Sequence, residues 1–289
     1  MIYVGEGERI VMELDLEFIV PPADLQPFVS LFYRFACPGN FEDLERAAIA
    51  QLRFRLTPGD STYHFADDTV QAVPAYHVVG PTTGACRTVA KGPLKVFGMG
   101  LTPVGWATLM DRDASAMVNR CVDAVTLFGP GVTEAAIGLR NARSGADMVA
   151  AIEPWLRGRL AGGQSGTLSF VRAVDTWLAE SRSPDVDGLV ALSGLSRRHV
   201  ERRCNALYGA PPKLLARKYR ALRAAVSMAS GEEVDIDGFY DQSHMIREVK
   251  HFTGLTPKKM RDTPGVLAAL TIQRRRALEG QVGSLISTT

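Results

Sequence analysis

Four cysteines in 289 residues, Cys37, Cys86, Cys121 and Cys204, stand far apart and form no CxxC pair. That spacing suggests neither zinc nor dithiol redox work, and four free thiols in a reducing compartment are expected. Long apolar runs are missing too: no stretch approaches the roughly 18 to 20 apolar residues of a membrane span. The first residues, MIYVGEGERIVMELDLEF, lack the basic start and unbroken apolar run of a signal peptide. A cytoplasmic location is expected. FGMG and GPGVTEAAIG contain glycines but not the Lys and strand-to-helix setting of a phosphate loop. No nucleophile stands at a spacing that supplies it with a base. No catalytic residue, metal ligand or cofactor is therefore expected.

What the chain does have is a division. Its length exceeds the comfortable size of one core, so two domains are expected. The net charge of +2 is unevenly spread: residues 1–166 carry 14 Lys and Arg against 18 Asp and Glu, and residues 167–289 carry 19 against 13. The C-terminal part is thus net +6, which points to a polyanion partner, although a basic solvated face would look the same on charge alone. Residues 157–167, RGRLAGGQSGT, read as a flexible linker.

Ahead of the linker, short runs of β-branched and aromatic residues alternate with Gly and Pro from Leu52 to Pro103, as strands joined by turns would. Helices are expected over residues 23–35, 104–109, 114–125 and 133–159, the last broken near Ser144 and Gly145. The N-terminal part thus reads as an α+β domain, a small sheet or barrel with flanking helices. Behind the linker the pattern is helical. Phe170, Val174, Trp177 and Leu178 make one apolar stripe, and Leu215, Tyr219, Leu222 and Val226 another, with Arg217, Lys218, Arg220 and Arg223 assigned to its opposite face.

An internal repeat carries the functional signal. GLSRRHVERRCNALYGAPPK (194–213) aligns with FYDQSHMIREVKHFTGLTPK (239–258) at an offset of 45, with His, Arg, Gly, Pro and Lys identical at 199/244, 202/247, 209/254, 212/257 and 213/258. Ser196 and Asp241 are helix-capping types. Val200, Cys204 and Leu207 match Met245, Val249 and Phe252 as an i, i+4, i+7 core stripe. Gly209 and Gly254 suit left-handed helix ends, and Pro212 and Pro257 suit the first turn of the next helix. Each copy is a capped helix closed by Gly.

The first copy's outer face holds Arg198, Glu201, Arg202 and Asn205; the second holds Ser243, Arg247 and Lys250, with Ile246 an apolar exception. A short helix from about Val186 and a turn at Gly194 precede the first copy. This is a helix-turn-helix layout, whose second helix enters the major groove, where Arg bonds guanine edges in bidentate fashion. A linking helix from about residue 212 to 229 would span about 27 Å at 1.5 Å per residue. It would hold two reading heads about one DNA turn apart, roughly 34 Å. Helical repeats that merely stack, with Arg solvated, are the competing reading.

With GFYDQSHMIREVKHFTGLTPKKMR in place, residues 167–262 resemble the AraC family of bacterial transcription regulators, whose all-α C-terminal domain has two helix-turn-helix units joined by a long helix. The resemblance implies base reading by Arg198, Glu201, Arg202, Ser243, His244 and Arg247. It implies phosphate contacts by Ser196, Lys213, Arg217, Lys218 and Lys258. It also implies double-stranded DNA as partner at the nucleoid, with RNA polymerase, a small-molecule effector and a second copy of the chain left open. The domains would be 1–160 for sensing or dimerisation, a linker at 161–166, DNA binding over 167–265, and a C-terminal helix and tail over 266–289. SGEEVDIDGFY departs from the family by about five residues too few for a full supporting helix before the second reading helix. VPPADLQPFVSLFYRF, YHVVGPTTG and GPLKVFGMGLTPVGWATLM are similar to the N-terminal region of a subset of AraC-type regulators, without the HxH or acidic and His pattern of sugar-binding members.

Other residues invite functional readings beside plainer ones. His199 and His244, three beyond each cap, would pack over the helix start or touch phosphate. His64 and His77 read as sheet residues before ligand or metal groups, and Asp67 and Asp68 as a turn before an acid/base pair. Cys37 and Cys86 read as buried thiols before reactive ones. Arg274 to Arg276 read as a solvated helix end. The apolar faces of 133–159 would pack within their own domain or between two chains. An enzyme or covalent sensor fused to a DNA-binding module, and a non-specific architectural binder, are the rival functions.

Overall fold

The computed structural model describes residues 14–161, 165–181, 183–234, 236, 238–262, 268, 271–272, 277–281 and 283. Its first half is β-rich: β1 (Asp15–Ile19), β2 (Val29–Cys37), β3 (Phe41–Glu45), β4 (Gln51–Arg55), β5 (Ser61–His64), β6 (Val70–Ala72), β7 (Tyr76–Val79), β8 (Cys86–Ala90), β9 (Leu94–Leu101) and β10 (Cys121–Asp123). They form two antiparallel sheets, ordered β1-β2-β9-β4-β7-β10 and β3-β8-β5-β6.

Strand alternation gives the larger sheet two different faces. Phe32, Leu52, Phe54, Phe97 and Met99 are buried against α1 (Pro103–Leu109), α2 (Ala124–Phe128), α3 (Gly131–Asn141) and α4 (Gly145–Leu160). Tyr33 and Arg53 turn the other way, both opposite Gly98 of β9. A Cβ on Gly98 would lie 2.3 Å from the Tyr33 ring, so the glycine makes room for it.

Two expected helices are corrected. Residues 23–35 form a turn and then β2, whose cross-strand bonds to β1 and β9 outweigh helix propensity. Residues 114–125 become a 3-10 turn (Ala114–Met117), a left-handed Asn119 with φ of 52°, β10 paired to β7, and the start of α2. The expected helix pair is α3 and α4, parted at Ser144, which forms a capping box with Asp147.

The second half is helical: α5 (Ser165–Glu180), α6 (Val186–Ser193), α7 (Arg197–Tyr208), α8 (Pro212–Ser230), α9 (Gln242–Thr253) and α10 (Pro257–Asp262). Since α4 ends at Leu160 and α5 starts at Ser165, the expected linker shortens to about residues 161–164, of which 162–164 lie outside the described residues. The expected run Arg274 to Arg276, and most of 266–289, also lie outside them. No described helix is long and apolar enough to cross a membrane.

The helices enclose two cores. α5, α6, α7 and the first half of α8 bury Val174, Trp177, Leu189, Val200, Cys204 and Leu215. The second half of α8, with α9 and α10, buries Leu222, Met228, Met245, Val249, Phe252 and Met260 together with Ala47 of the β-domain.

Candidate nucleic-acid interface

Each reading helix is fixed at both ends by the residues its sequence supplies. Ser196 accepts the His199 N–H at the start of α7, and Asp241 accepts the His244 N–H at the start of α9. Gly209 (φ 71°) and Gly254 (φ 77°) close them in the left-handed region, which glycine enters without steric cost. α8 then begins with Pro212 and α10 with Pro257. The helix ahead of α7 is α6, capped by Asp185 and ended by Gly194 at φ 66°. Ahead of α9, none of the described residues between α8 and α9 is helical, so the second unit lacks the supporting helix of the first. Phe239 partly replaces it, packed on the core of that unit beneath the Arg220 guanidinium at 4.8 Å.

Five of the six expected base readers, Arg198, Glu201, Arg202, Ser243 and Arg247, are exposed on the outer faces of α7 and α9. His244 is not displayed with them. It is half-buried, its Nδ1 accepts the Tyr240 N–H at 3.2 Å, and its ring stands edge-on to Phe239. The imidazole closes the helix start.

Of the expected phosphate contacts, Ser196, Lys213 and Lys258 are exposed. Arg217 is exposed too, with its guanidinium held by Glu248 of α9 through two 2.8 Å bonds. Lys218 corrects the expectation outright: it is 7% exposed, and its Nζ donates to the β-domain carbonyls of Ala48 (2.7 Å) and Thr82 (3.4 Å). The cause is its place on the helix. Lys218 stands in the same i, i+3, i+4, i+7 row as the buried Leu215, Tyr219 and Leu222, so it follows them inward.

Burial, with the like charge of Arg46 beside it, pushes the Lys218 amine down to about 7. Between that value and the usual lysine range near 10.5, the unfolded chain holds a proton the folded one has released. Stability should therefore rise with pH across this window. Thermal unfolding of Lys218→Met should lose the rise; an unchanged slope in the variant would contradict the assignment.

The β-domain holds a cavity of about 190 Å³ between its two sheets. That is larger than an engineered cavity of about 150 Å³ that takes up benzene. Leu16, Phe18, Leu31, Phe35, Leu94 and Val96 supply apolar wall, and Lys218, Tyr219 and Leu222 of α8 also line it. Its polar part is a connected network. Arg53 grips Glu45 with both terminal nitrogens (3.0 and 2.5 Å) and donates to the Tyr63 hydroxyl at 2.7 Å; Thr88 donates to Glu45 at 2.7 Å. The His77 Nδ1–H donates to Pro74 O (2.8 Å), leaving Nε2 to accept from the Tyr63 hydroxyl at 3.2 Å.

Burial and the Arg53 charge push His77 down to about 3, so the ring is neutral. Burial raises the Glu45 carboxyl, but Arg53 outweighs it and holds the group below the usual range. Sequence reading missed this network; its signal was Arg53 and Arg55 alternating with apolar Leu52 and Phe54 in one strand.

The remaining candidates take plain roles. His64 pairs with Arg87 at 3.1 Å, and Asp67 accepts the Thr69 N–H in a turn. Burial raises the Cys37 thiol and pushes Cys86 up to about 12, which disfavours the reactive thiolate at both.

Residues 17–123 match a family model described as a domain of unknown function (DUF6597). No curated protein is similar in sequence. Among solved structures, ToxT from Vibrio cholerae O395 is similar at 8% identity over 80% of this chain and 98% of that one, with a TM-score of 0.42. A further crystal form of V. cholerae ToxT gives 6% identity, 86% and 97% coverage and 0.44. ToxT bound to (E)-4-(8-methylnaphthalen-1-yl)but-3-enoic acid gives 8% identity, 86% and 97% coverage and 0.43. At these scores no residue is carried across. Residues 189–263 match the model described as a helix-turn-helix domain, spanning α6 through α10. Those residues are an AraC-type helix-turn-helix domain.

Proposed function

We propose that the protein reads two DNA half-sites, one with α7 and one with α9, under the control of a small molecule held in the β-domain cavity. The observation that carries this reading is the pair of capped helices with exposed Arg-bearing faces, each packed on a different half of α8. Arg198, Glu201 and Arg202 read bases in the first groove, and Ser243 and Arg247 in the second. Ser196, Lys213 and Lys258 hold phosphates and set the register. His244 supports the second helix rather than reading from it.

The cavity supports the sensing part. Its walls are mainly apolar with one hydrogen-bonding network, the make-up of a small-molecule site. Because α8 supplies part of the wall, a ligand that fits one placement of α8 better than another would shift the DNA-binding form. The reading places the protein in the cytoplasm at the nucleoid and admits RNA polymerase and a second copy of the chain as partners.

An architectural, sequence-blind binder is the second reading, favoured by the missing support before α9. Competition binding at about 150 mM salt separates the two. Sequence-specific reading predicts that a fragment selected by the full-length protein binds at least about a thousandfold more tightly than its scrambled version. Equal binding would establish the architectural reading instead.

A further inference from the structure

The two helix-turn-helix units have separate cores, and within the DNA-binding domain they share α8, with Leu214 packed against both. A second tie comes from the β-domain. Residues 80–85, between β7 and β8, touch all three helices of the reading apparatus. Pro81 lies under Gly209 at the end of α7, where a Cβ would come within 3.1 Å of its ring. Thr82 O accepts from Lys218 of α8. Thr83 O accepts from His251 Nε2 of α9 at 2.8 Å, and the Ala85 N–H donates to His251 O at 2.9 Å.

This segment is held from behind by main-chain bonds to Ala48 and Arg120 and by the side chain of Asn119. Asn119 is 2% exposed; its Oδ1 accepts the Thr83 N–H (3.0 Å), its Nδ2 donates to Thr83 Oγ1 (2.9 Å), and its own N–H donates to Pro81 O (3.1 Å). It does so from the left-handed region, which asparagine tolerates better than most non-glycine residues but at a conformational cost that its bonds offset.

We propose that Asn119 is a positioning residue for DNA recognition: through residues 80–85 it fixes α7 relative to α9, and so sets which spacing between half-sites the protein accepts. The inference rests on the two-reader function proposed above. A rod joined at α8 alone would bend and tolerate several spacings. With the β-domain segment bridging both helix ends, the two heads and their connection become a braced frame.

The test is selection from a random DNA pool by the full-length protein, scored for half-site motifs and for the gap between them. Asn119→Gly keeps the left-handed backbone and removes the side-chain bonds to Thr83, along with one to Asp67. His251→Ala removes the side-chain one of the two α9 bonds from an exposed residue, so it tests the bridge even where Asn119→Gly does not fold. The wild type should enrich two half-motifs at one gap. Both variants should enrich the same half-motifs with selectivity for that gap reduced about tenfold, within the usual range of coupling between sites. A gap as sharply selected in His251→Ala and folded Asn119→Gly as in the wild type would overturn the proposal, as would two half-motifs with no preferred gap in the wild type. Enrichment of no motif by the wild type would instead overturn the DNA-reading function on which it rests.

Discussion

Glu45→Ala is expected to destabilise the protein by about 3 to 5 kcal/mol, because it strands a buried guanidinium. Arg53 is 8% exposed, and its charge cannot be titrated away in the accessible pH range. Without Glu45 it keeps Gln51 and the Tyr63 hydroxyl, which are neutral partners and do not balance the charge. Glu45→Gln, which preserves shape and an acceptor, should cost less. The double replacement Glu45→Leu with Arg53→Met should recover much of the loss, since it removes the ion and its counter-ion together. Urea unfolding of the three variants checks this order. A loss below about 1 kcal/mol for Glu45→Ala would mean that water in the adjoining cavity already solvates Arg53, giving the pair the small value of an exposed salt bridge.

The second large effect is on DNA. Arg202→Ala and Arg247→Ala should each cost about 1 to 3 kcal/mol of specific binding, roughly five- to 150-fold in affinity. Both side chains are exposed at equivalent places in the repeat, and a bidentate Arg–guanine contact is lost entirely on truncation. Arg202 should show the larger effect. Its helix stands on α6, whereas none of the described residues between α8 and α9 is helical, so α9 is held less firmly for base reading. Equilibrium binding to a selected fragment measures both. A uniform loss on all sequences would reassign either arginine to the phosphate backbone.

The C-terminal half was readable because local chemistry decides it. Ser196, Gly209, Pro212, Asp241, Gly254 and Pro257 each have a positional meaning at a helix end, and each occupies that end. The β-domain was harder because its decisions are non-local. VSLFYRFAC is apolar at most positions, since β2 is buried in places on both faces, and such a run does not distinguish strand from helix by period. Only its pairing with β1 and β9 settles the matter.

The partners in the cavity network were hidden for the same reason, although the alternation of Arg53 and Arg55 with Leu52 and Phe54 hinted at buried arginine. Glu45, Arg53, Tyr63 and His77 lie on four strands, two in each sheet, and meet only when the two sheets pack face to face. Lys218 was misassigned by residue type, because a basic residue beside arginines reads as surface. Its row on α8 already placed it with Leu215, Tyr219 and Leu222, and position outweighs polarity where backbone carbonyls stand ready to accept.

The central claim is that one chain reads DNA with two heads. Its most direct test is selection of bound genomic fragments by the full-length protein beside Arg202→Ala and Arg247→Ala, at a fixed salt of about 150 mM. The account predicts a two-part motif whose centres lie about one helical turn apart, roughly 34 Å, with each variant blurring a different half. A single short motif left intact by Arg247→Ala would contradict it.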